Sequence, residues 1–145
     1  MDYNKPFNFL KNLPTKLNLF YKKKSKSGLV VSNKSKSKKD FDPVTNFDKA
    51  FEKYIRSLIN KKFPKDSIIG EEFADKSSFN DYTWSIDPID GTRSFIAGHK
   101  DFGTLIALLY KNKPIIGIIN CPIHQERWIG VKNRQTTFNG VKIST

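Results

Sequence analysis

Two short acidic segments in the middle of the sequence carry the side chains best suited to chemistry. The first, residues 70–72 (GEE), follows an apolar pair, and the second, residues 84–92 (WSIDPIDGT), places Asp87 sixteen positions after Glu71. In the second segment Pro88-Ile89 separates Asp87 from Asp90, so this turn can point two carboxylates and one carbonyl toward a common centre. Hard divalent cations such as Mg²⁺ take these oxygen ligands and leave positions for water and substrate phosphate. The pattern therefore predicts a divalent-metal site.

A phosphate group is the ligand that best suits the residues after Asp90. The sequence predicts a short helix over residues 92–97, whose first N–H groups and positive dipole end would receive an anion. Each segment also has a purely structural explanation: a Glu pair is often solvated, Asp-Pro and Asp-Gly suit turns, and Asp48 can cap a helix that begins after Thr45. Their combination, in this order and at this spacing, favours the functional interpretation.

Three motifs in this order resemble those of the inositol monophosphatase superfamily. They are residues 42–48 (DPVTNFD), 70–72 and 84–92, and the resemblance covers roughly residues 28–145. The residues that follow are most similar to the histidinol-phosphatase branch, whereas inositol phosphatases usually carry GT-x-NF at this point. The branch-specific segments are 93–98 (RSFIAG), 102–108 (FGTLIAL) and 126–128 (ERW).

The resemblance implies Mg²⁺-dependent hydrolysis of a phosphate monoester, with histidinol phosphate as the expected substrate in histidine biosynthesis. Glu71, Asp87 and the Ile89 carbonyl would hold one Mg²⁺, and Asp87 and Asp90 would share a second. Two such ions stabilise the attacking and leaving oxygens of an in-line displacement. Inositol phosphates and 3′-phosphoadenosine 5′-phosphate remain alternative substrates, and a noncatalytic metal-binding remnant is the alternative from another class.

The same resemblance assigns catalytic roles to three residues. Glu71 and Thr92 would orient the attacking water, and Asp48 would support Thr92 or a further metal. Neither histidine is needed as a base, and Cys121 is expected to be inert. The substrate-binding positions it implies are Glu71, Ile89, Asp90, Gly91, Thr92 and Arg93; the N–H groups of Gly91 and Thr92 would hold phosphate oxygens, and the Arg93 cation would neutralise phosphate charge or form a surface salt bridge.

The elements that must position these residues are readable from local patterns. Thr45 is a candidate N-cap for an amphipathic helix over residues 46–62, and residues 7–24 carry a helical stripe broken by Pro14. A short strand is predicted at 28–32 and a polar loop at 33–42. Further strands are predicted at residues 67–70, 82–87, 102–110, 114–120, 126–131 and 136–143, the last containing an Asn139-Gly140 turn.

Short links between successive strands predict one α+β domain, an antiparallel sheet with packed helices. The resemblance makes this the N-terminal half of a layered α/β sandwich. Residues 102–119 are apolar on both faces, as in a sheet that is covered on two sides. In the family, a C-terminal domain supplies a further Asp from a WDxAA-like element. This sequence contains no such element, so we expect residues 1–145 to be the N-terminal metal-binding domain and the C-terminal domain to be absent.

The amino-acid composition indicates a folded domain and bears on its cellular location. Of 145 residues, 37% are hydrophobic and 13% aromatic, which suits a folded core. There is no long apolar run and no secretory signal pattern, and one cysteine cannot form an internal disulfide; a cytoplasmic location is therefore expected.

The net charge of +12 is concentrated in residues 1–66, with 17 Lys and Arg against six Asp and Glu. The densest lysines, in residues 22–39, lie among Ser and Asn without interleaved aromatic residues, which favours a solvated surface over a nucleic-acid site. We expect a small phosphorylated metabolite as partner, no nucleic acid and no membrane. The expected protein partner is a second copy or a separately encoded C-terminal half.

Overall fold

The computed structural model of the chain describes residues 2–35 and 43–144. Most of the predicted polar loop, residues 36–42, lies outside the described residues. The elements, in chain order, are α1 (Asn4–Lys24), β1 (Val31–Asn33), β2 (Pro43–Thr45), α2 (Asn46–Lys62), β3 (Ser67–Gly70), β4 (Tyr82–Asp90), α3 (Thr92–Ile96), β5 (Gly103–Tyr110), β6 (Lys113–Cys121), β7 (Glu126–Val131), β8 (Thr137–Phe138) and β9 (Val141–Lys142).

Helix α2 begins where its N-terminal residues predict. Thr45 Oγ1 accepts hydrogen bonds from the N–H groups of Phe47 and Asp48, and Asp48 Oδ2 accepts the Thr45 N–H at 2.7 Å. This reciprocal capping box satisfies donors that would otherwise lack partners at the start of the helix. The apolar face of α2 then buries Phe51, Ile55 and Ile59 against the sheet.

Helix α1 differs from its prediction because it runs without interruption through Pro14. The ring removes one backbone donor from the helix, yet Leu10, Leu13 and Leu17 on the same face are all buried. Burial of this leucine stripe accounts for the continuity, since packing of an apolar face stabilises a helix more than local propensity does.

The main sheet has seven strands in the order β3-β4-β5-β6-β7-β8-β9, and β1 pairs with β2 in a separate ribbon. The predicted fold class, α+β, is confirmed, but the predicted antiparallel pairing is wrong at one edge: β3 runs parallel to β4. The reason lies in the connection over residues 71–81, which crosses from one end of the sheet to the other instead of turning back as a hairpin. Parallel neighbours need such a crossover.

Alternation along the strands separates a covered face from an open one. Trp84, Ile106 and Ile118 are buried on the face that carries α1 and α2, whereas Leu105 and Ile119 on the opposite face are half-buried or exposed. The described residues thus form a helix layer on one side of the sheet. No helix within residues 2–35 or 43–144 is long and apolar enough to cross a membrane.

Candidate metal centre

The parallel pairing of β3 with β4 brings the two acidic segments together. Gly70 is the register partner of Ile86, so the next residues along the two strands are Glu71 and Asp87. The carboxyl ends of parallel strands meet at the same edge of a sheet. Two carboxylates sixteen positions apart in the sequence therefore become neighbours, whereas a hairpin would have separated them.

Asp87 has the most perturbed environment of these residues. Burial raises the pKa of its carboxyl to about 7, and the nearby negative charges of Glu71, Asp90 and Asp48 add to the increase, while Lys34 opposes it. Its Oδ1 atom is buried and has no hydrogen-bond partner within residues 2–35 and 43–144. Desolvation and like charges both disfavour an ionised carboxyl, and the positive charge of Lys34 offsets them only in part.

The end of β4 turns sharply between Asp87 and Asp90. The register with β5 shifts between these two residues, and Asp90 resumes pairing opposite Gly103. Thr104 Oγ1 donates to the Pro88 carbonyl at 2.8 Å and fixes the turn from the neighbouring strand. Asp90 is exposed while Ile89 is buried, so the Asp90 carboxylate faces solvent at the sheet edge.

Thr92 joins this turn to the start of α2. Its Oγ1 lies 3.0 Å from Asp48 Oδ1 and 3.0 Å from the Ile89 carbonyl oxygen. Asp48 is only 1% exposed, and its other oxygen, Oδ2, accepts from the N–H and hydroxyl of Thr45. The carboxylate is therefore a fixed acceptor for Thr92, which matches the supporting role implied by the resemblance.

The predicted phosphate-binding helix is short. Helix α3 has five residues, begins at Thr92 and is preceded by Gly91, whose φ of 85° suits glycine. Its first N–H groups have no acceptor inside the helix, although five residues give little dipole. Arg93 is exposed on its first turn, at the predicted position beside Thr92.

Some residues beside this site were not predicted from the sequence. Lys34, placed within a polar loop by its neighbours, reaches Glu72 Oε1 with its Nζ at 2.9 Å. Burial raises the pKa of Glu72, and the charges of Asp48 and Glu52 act in the same direction. Glu52 is fully buried on α2, where charged residues are rarely found without a partner. A charged residue on the apolar face of a predicted helix is the sequence signal that could have identified it.

Neither the two histidines nor Cys121 belongs to the predicted set of metal ligands. His99 and His124 are exposed, and His124 Nε2 lies 3.1 Å from Asp101 Oδ1. Burial raises the pKa of the Cys121 thiol, helped by nearby acidic side chains. A thiol with a raised pKa is a poor nucleophile, in agreement with the expectation that Cys121 is inert.

The donor set fits a hard divalent cation. Glu71, Asp87, Asp90 and the Ile89 carbonyl all offer oxygen ligands at one edge of the sheet. Among the residues that the structure describes, Asp87 Oδ1 accepts no hydrogen bond, which leaves it available to a cation. Within the described parts of the chain, however, no three acidic, histidine or cysteine side chains already stand close enough to hold an ion together. Coordination therefore requires these carboxylates to rotate toward one another.

Comparison with known proteins identifies relatives of this chain. The model of the inositol monophosphatase family matches residues 8–145. The chain is 52% identical over 110 residues to the bifunctional phosphatase IMPL2, chloroplastic, of Arabidopsis thaliana, covering 74% of this chain and 32% of that protein. It is 38% identical over 98 residues to a histidinol-phosphatase of Mycobacterium tuberculosis, covering 68% of this chain and 38% of that protein.

A solved structure extends the likeness to the fold. The structure of an inositol monophosphatase from Zymomonas mobilis superposes with a TM-score of 0.77 and 38% identity. The match covers 100% of this chain and 54% of the Zymomonas mobilis chain. The chain thus spans about half the length, or less, of these relatives. The ordered motifs, the fold and the family model agree, and the chain belongs to the inositol monophosphatase family.

Proposed function

We propose that this chain provides the metal-binding part of a Mg²⁺-dependent phosphatase that hydrolyses histidinol phosphate. The observation that carries the proposal is Asp87, a half-buried carboxyl beside Glu71 and Asp90; its Oδ1 has no hydrogen-bond partner among the described residues, and its pKa is raised to about 7. Perturbed carboxyls of this kind concentrate at functional sites. The ester itself is suggested by the segments around Arg93 and by the name of one relative, the histidinol-phosphatase of Mycobacterium tuberculosis.

Glu71, Asp87, Asp90 and the carbonyl of Ile89 would hold the cation. When bound, Mg²⁺ lowers the pKa of water and neutralises charge that develops on the phosphoryl oxygens. The chain's own part is to supply three negative charges at a fixed edge of the sheet. It also keeps the apolar side of β4 dry, since Ile86 and Ile89 are 2% and 3% exposed.

Thr92 and Glu71 would orient the attacking water. The Thr92 hydroxyl has one hydrogen, which it donates to Asp48 or to the Ile89 carbonyl, so its lone pairs stay available. If Thr92 and Glu71 each accept one hydrogen of the water, an oxygen lone pair is directed away from both, toward phosphorus. Holding reactants in this geometry removes an entropic part of the barrier.

The substrate would enter with its phosphate toward residues 91–93. N–H groups of Gly91 and Thr92 would bind phosphate oxygens, and Arg93, exposed beside them, would add a positive charge. Hydrolysis leaves inorganic phosphate and the free alcohol, because water replaces the ester oxygen on phosphorus. A small phosphorylated metabolite is accordingly the proposed partner.

Phosphate release from two esters tests this function. We would join the chain to the C-terminal region of the Mycobacterium tuberculosis histidinol-phosphatase and assay histidinol phosphate and inositol 1-phosphate under identical Mg²⁺. We expect kcat/KM to favour histidinol phosphate by about tenfold, which needs only about 1.4 kcal/mol of differential transition-state binding.

The Asp87→Asn variant of the same fusion is the control, and it should release phosphate from neither ester. Preference for inositol 1-phosphate would contradict the substrate but keep the reaction. Equal activity of Asp87→Asn and the parent would contradict the assigned site, and inactivity of a parent that binds Mg²⁺ would favour the noncatalytic remnant.

A further inference from the structure

A buried carboxylate on α2 binds the backbone immediately after Glu71. Glu52 is 0% exposed; its Oε2 accepts the Glu72 N–H at 2.7 Å and its Oε1 accepts the Phe73 N–H at 3.2 Å. Hydrogen bonds from backbone N–H groups to an ionised acceptor are stronger than neutral ones. Residues 72 and 73 are thus tied to the helix by the side chain of Glu52.

Arg56, one turn further along α2, completes this attachment. Its Nε donates to Glu52 Oε1 at 2.8 Å, and its two Nη atoms donate to the carbonyls of Phe73 and Ala74 at 3.1 Å. The planar guanidinium binds a carboxylate and two carbonyls at once, which a lysine ammonium cannot reproduce. Four hydrogen bonds from these two side chains therefore hold residues 72–74, and a fifth joins Arg56 to Glu52.

Gly70 leaves room for this arrangement. A Cβ added at Gly70 would lie 2.3 Å from Glu52 Oε1 and 2.6 Å from Glu52 Cδ. The Glu52 carboxylate is held by three donors and is fully buried, so it cannot move aside cheaply. The glycine before Glu71 is consequently required by the packing of Glu52 against β3.

The same side of α2 also carries Asp48. Asp48, Glu52 and Arg56 are spaced by four residues and so lie on successive turns of one side of the helix. Asp48 binds Thr92, in the turn that follows β4, while Glu52 and Arg56 bind the loop that follows β3. One helix side therefore contacts both halves of the candidate metal centre.

We propose that Glu52 and Arg56 are positioning residues that hold the loop after β3 so that Glu71 stays beside Asp87. The inference rests on the proposed function for its effect on metal binding. Neither side chain needs to touch the ion, because both act through the backbone of residues 72–74. Their loss should weaken metal binding by freeing this loop, while the packing of α2 persists through its apolar face.

Arg56→Met is the variant that separates positioning from charge. It removes the donors but keeps an apolar stem, and loss of a cation near a cation site should by itself favour metal binding. We expect Mn²⁺ binding to the 145-residue chain, measured by calorimetry, to weaken about tenfold, or about 1.4 kcal/mol. Lys53→Met, which removes an exposed cation from the same helix, is the matched control and should not weaken binding.

Amide hydrogen exchange without metal supplies an independent readout. In Arg56→Met, the N–H groups of Glu72 and Phe73 should exchange at least tenfold faster, while those of Ile55 and Ile59 keep their protection. Gly70→Ala, which displaces the Glu52 carboxylate without changing any charge, should give the same pattern. Agreement between these two chemically different variants would support the positioning role.

Parental Mn²⁺ affinity in Arg56→Met would overturn the inference, and so would an equal loss of exchange protection across all of α2. If the parent chain bound no Mn²⁺, the proposed function would fail first. Exchange at Glu72 and Phe73 would then decide the positioning role alone: selective loss of protection in Arg56→Met would support it, and unchanged protection would refute it.

Discussion

Asp87 shows how one side chain acquires properties that its type does not have. Its carboxyl is half-buried at the end of β4, and the charges of Glu71, Asp90 and Asp48 act on it, so that its pKa is raised from 3.8 to about 7. A cation bound there would replace this repulsion with attraction. The same group can therefore report the site's occupancy through its dependence on pH.

Metal affinity should depend steeply on pH below neutrality. A proton competes with the cation for Asp87, so below pH 7 the apparent association constant for Mn²⁺ should fall about tenfold per pH unit, and above pH 8 it should level off. Calorimetric titration of the chain between pH 5.5 and 8.5 measures this. Asp81→Asn, which changes an exposed carboxyl outside the site, should leave the profile unmoved, and a midpoint near pH 4 would contradict the assignment.

In the metal-free chain the same shift has the opposite consequence. Because the folded pKa of Asp87 lies above its unfolded value, the group lowers the free energy of unfolding at high pH. This penalty is complete above pH 7 and fades as the pH falls toward 3.8, since the folded state binds the proton more tightly than the unfolded chain.

Among the elements, α2 is the one on which both the fold and the site depend most. Its first turn holds Thr45 and Asp48, and its middle turns hold Glu52 and Arg56, on the side that meets the acidic segments. The N-cap therefore does more than begin the helix. Thr45 binds Asp48 Oδ2, and this holds the carboxylate so that its Oδ1 is directed to Thr92.

Removing the Thr45 hydroxyl should destabilise the chain measurably. Thr45→Ala leaves the N–H groups of Phe47 and Asp48 without their acceptor and takes one donor from the buried Asp48 carboxylate. We expect the free energy of unfolding in urea to fall by about 1–2 kcal/mol. Thr45→Ser keeps the hydroxyl and should lose far less; equal losses for both variants would show that the methyl group matters and the cap does not.

Local patterns predicted those elements whose causes are local. The ends of α2 follow from Thr45 and Pro64, and the Asn139-Gly140 hairpin follows from two residues that accept positive φ, here 46° and 83°. The parallel neighbour of β4 was not predicted, because strand pairing depends on distant partners and the connection over residues 71–81 contains no helix to signal a crossover.

Site prediction divided along the same line. The acidic motifs predicted Glu71, Asp87 and Asp90 as metal ligands, and the structure brings them to one edge of the sheet; their role as ligands stays a prediction. Lys34 and Glu52 were not predicted, because each reaches residue 72 from a distant part of the sequence. For Glu52, the local signal is a charged residue on the apolar face of α2.

At the scale of the whole molecule, the sheet is asymmetric. Helices α1 and α2 cover one face, and the opposite face contains an apolar groove of about 500 Å³. Ile119, on this face, is 43% exposed, a large fraction for an isoleucine in a central strand. The groove is lined mainly by residues whose positions in the strands face this side: Ser85, Asp87, Leu105, Ala107, Gly117, Ile119, Trp128 and Gly130, together with Thr136.

This face should make the 145-residue chain bind a hydrophobic dye and self-associate at micromolar concentration. Ile119→Lys places a charge in the groove and should reduce both dye fluorescence and association. Its effect on the free energy of unfolding should be small, because the side chain is already partly exposed. Val141→Lys, at an exposed site on β9, is the matched control; a parent chain that stays monomeric and dye-negative would contradict this prediction.

The register between β3 and β4 has a consequence for which changes in length the domain can accept. Beyond the segment that Glu52 and Arg56 hold, residues 77–81 are largely exposed, and residues added there would lengthen a surface loop at little cost in closure entropy. One residue inserted between Ser67 and Gly70 would act differently, since it would advance the strand by about 3.3 Å and turn its side chains to the other face. Glu71 would then leave Asp87 although no acidic residue had been replaced. Insertions and deletions in this short strand should therefore be as damaging as substitutions of the carboxylates themselves.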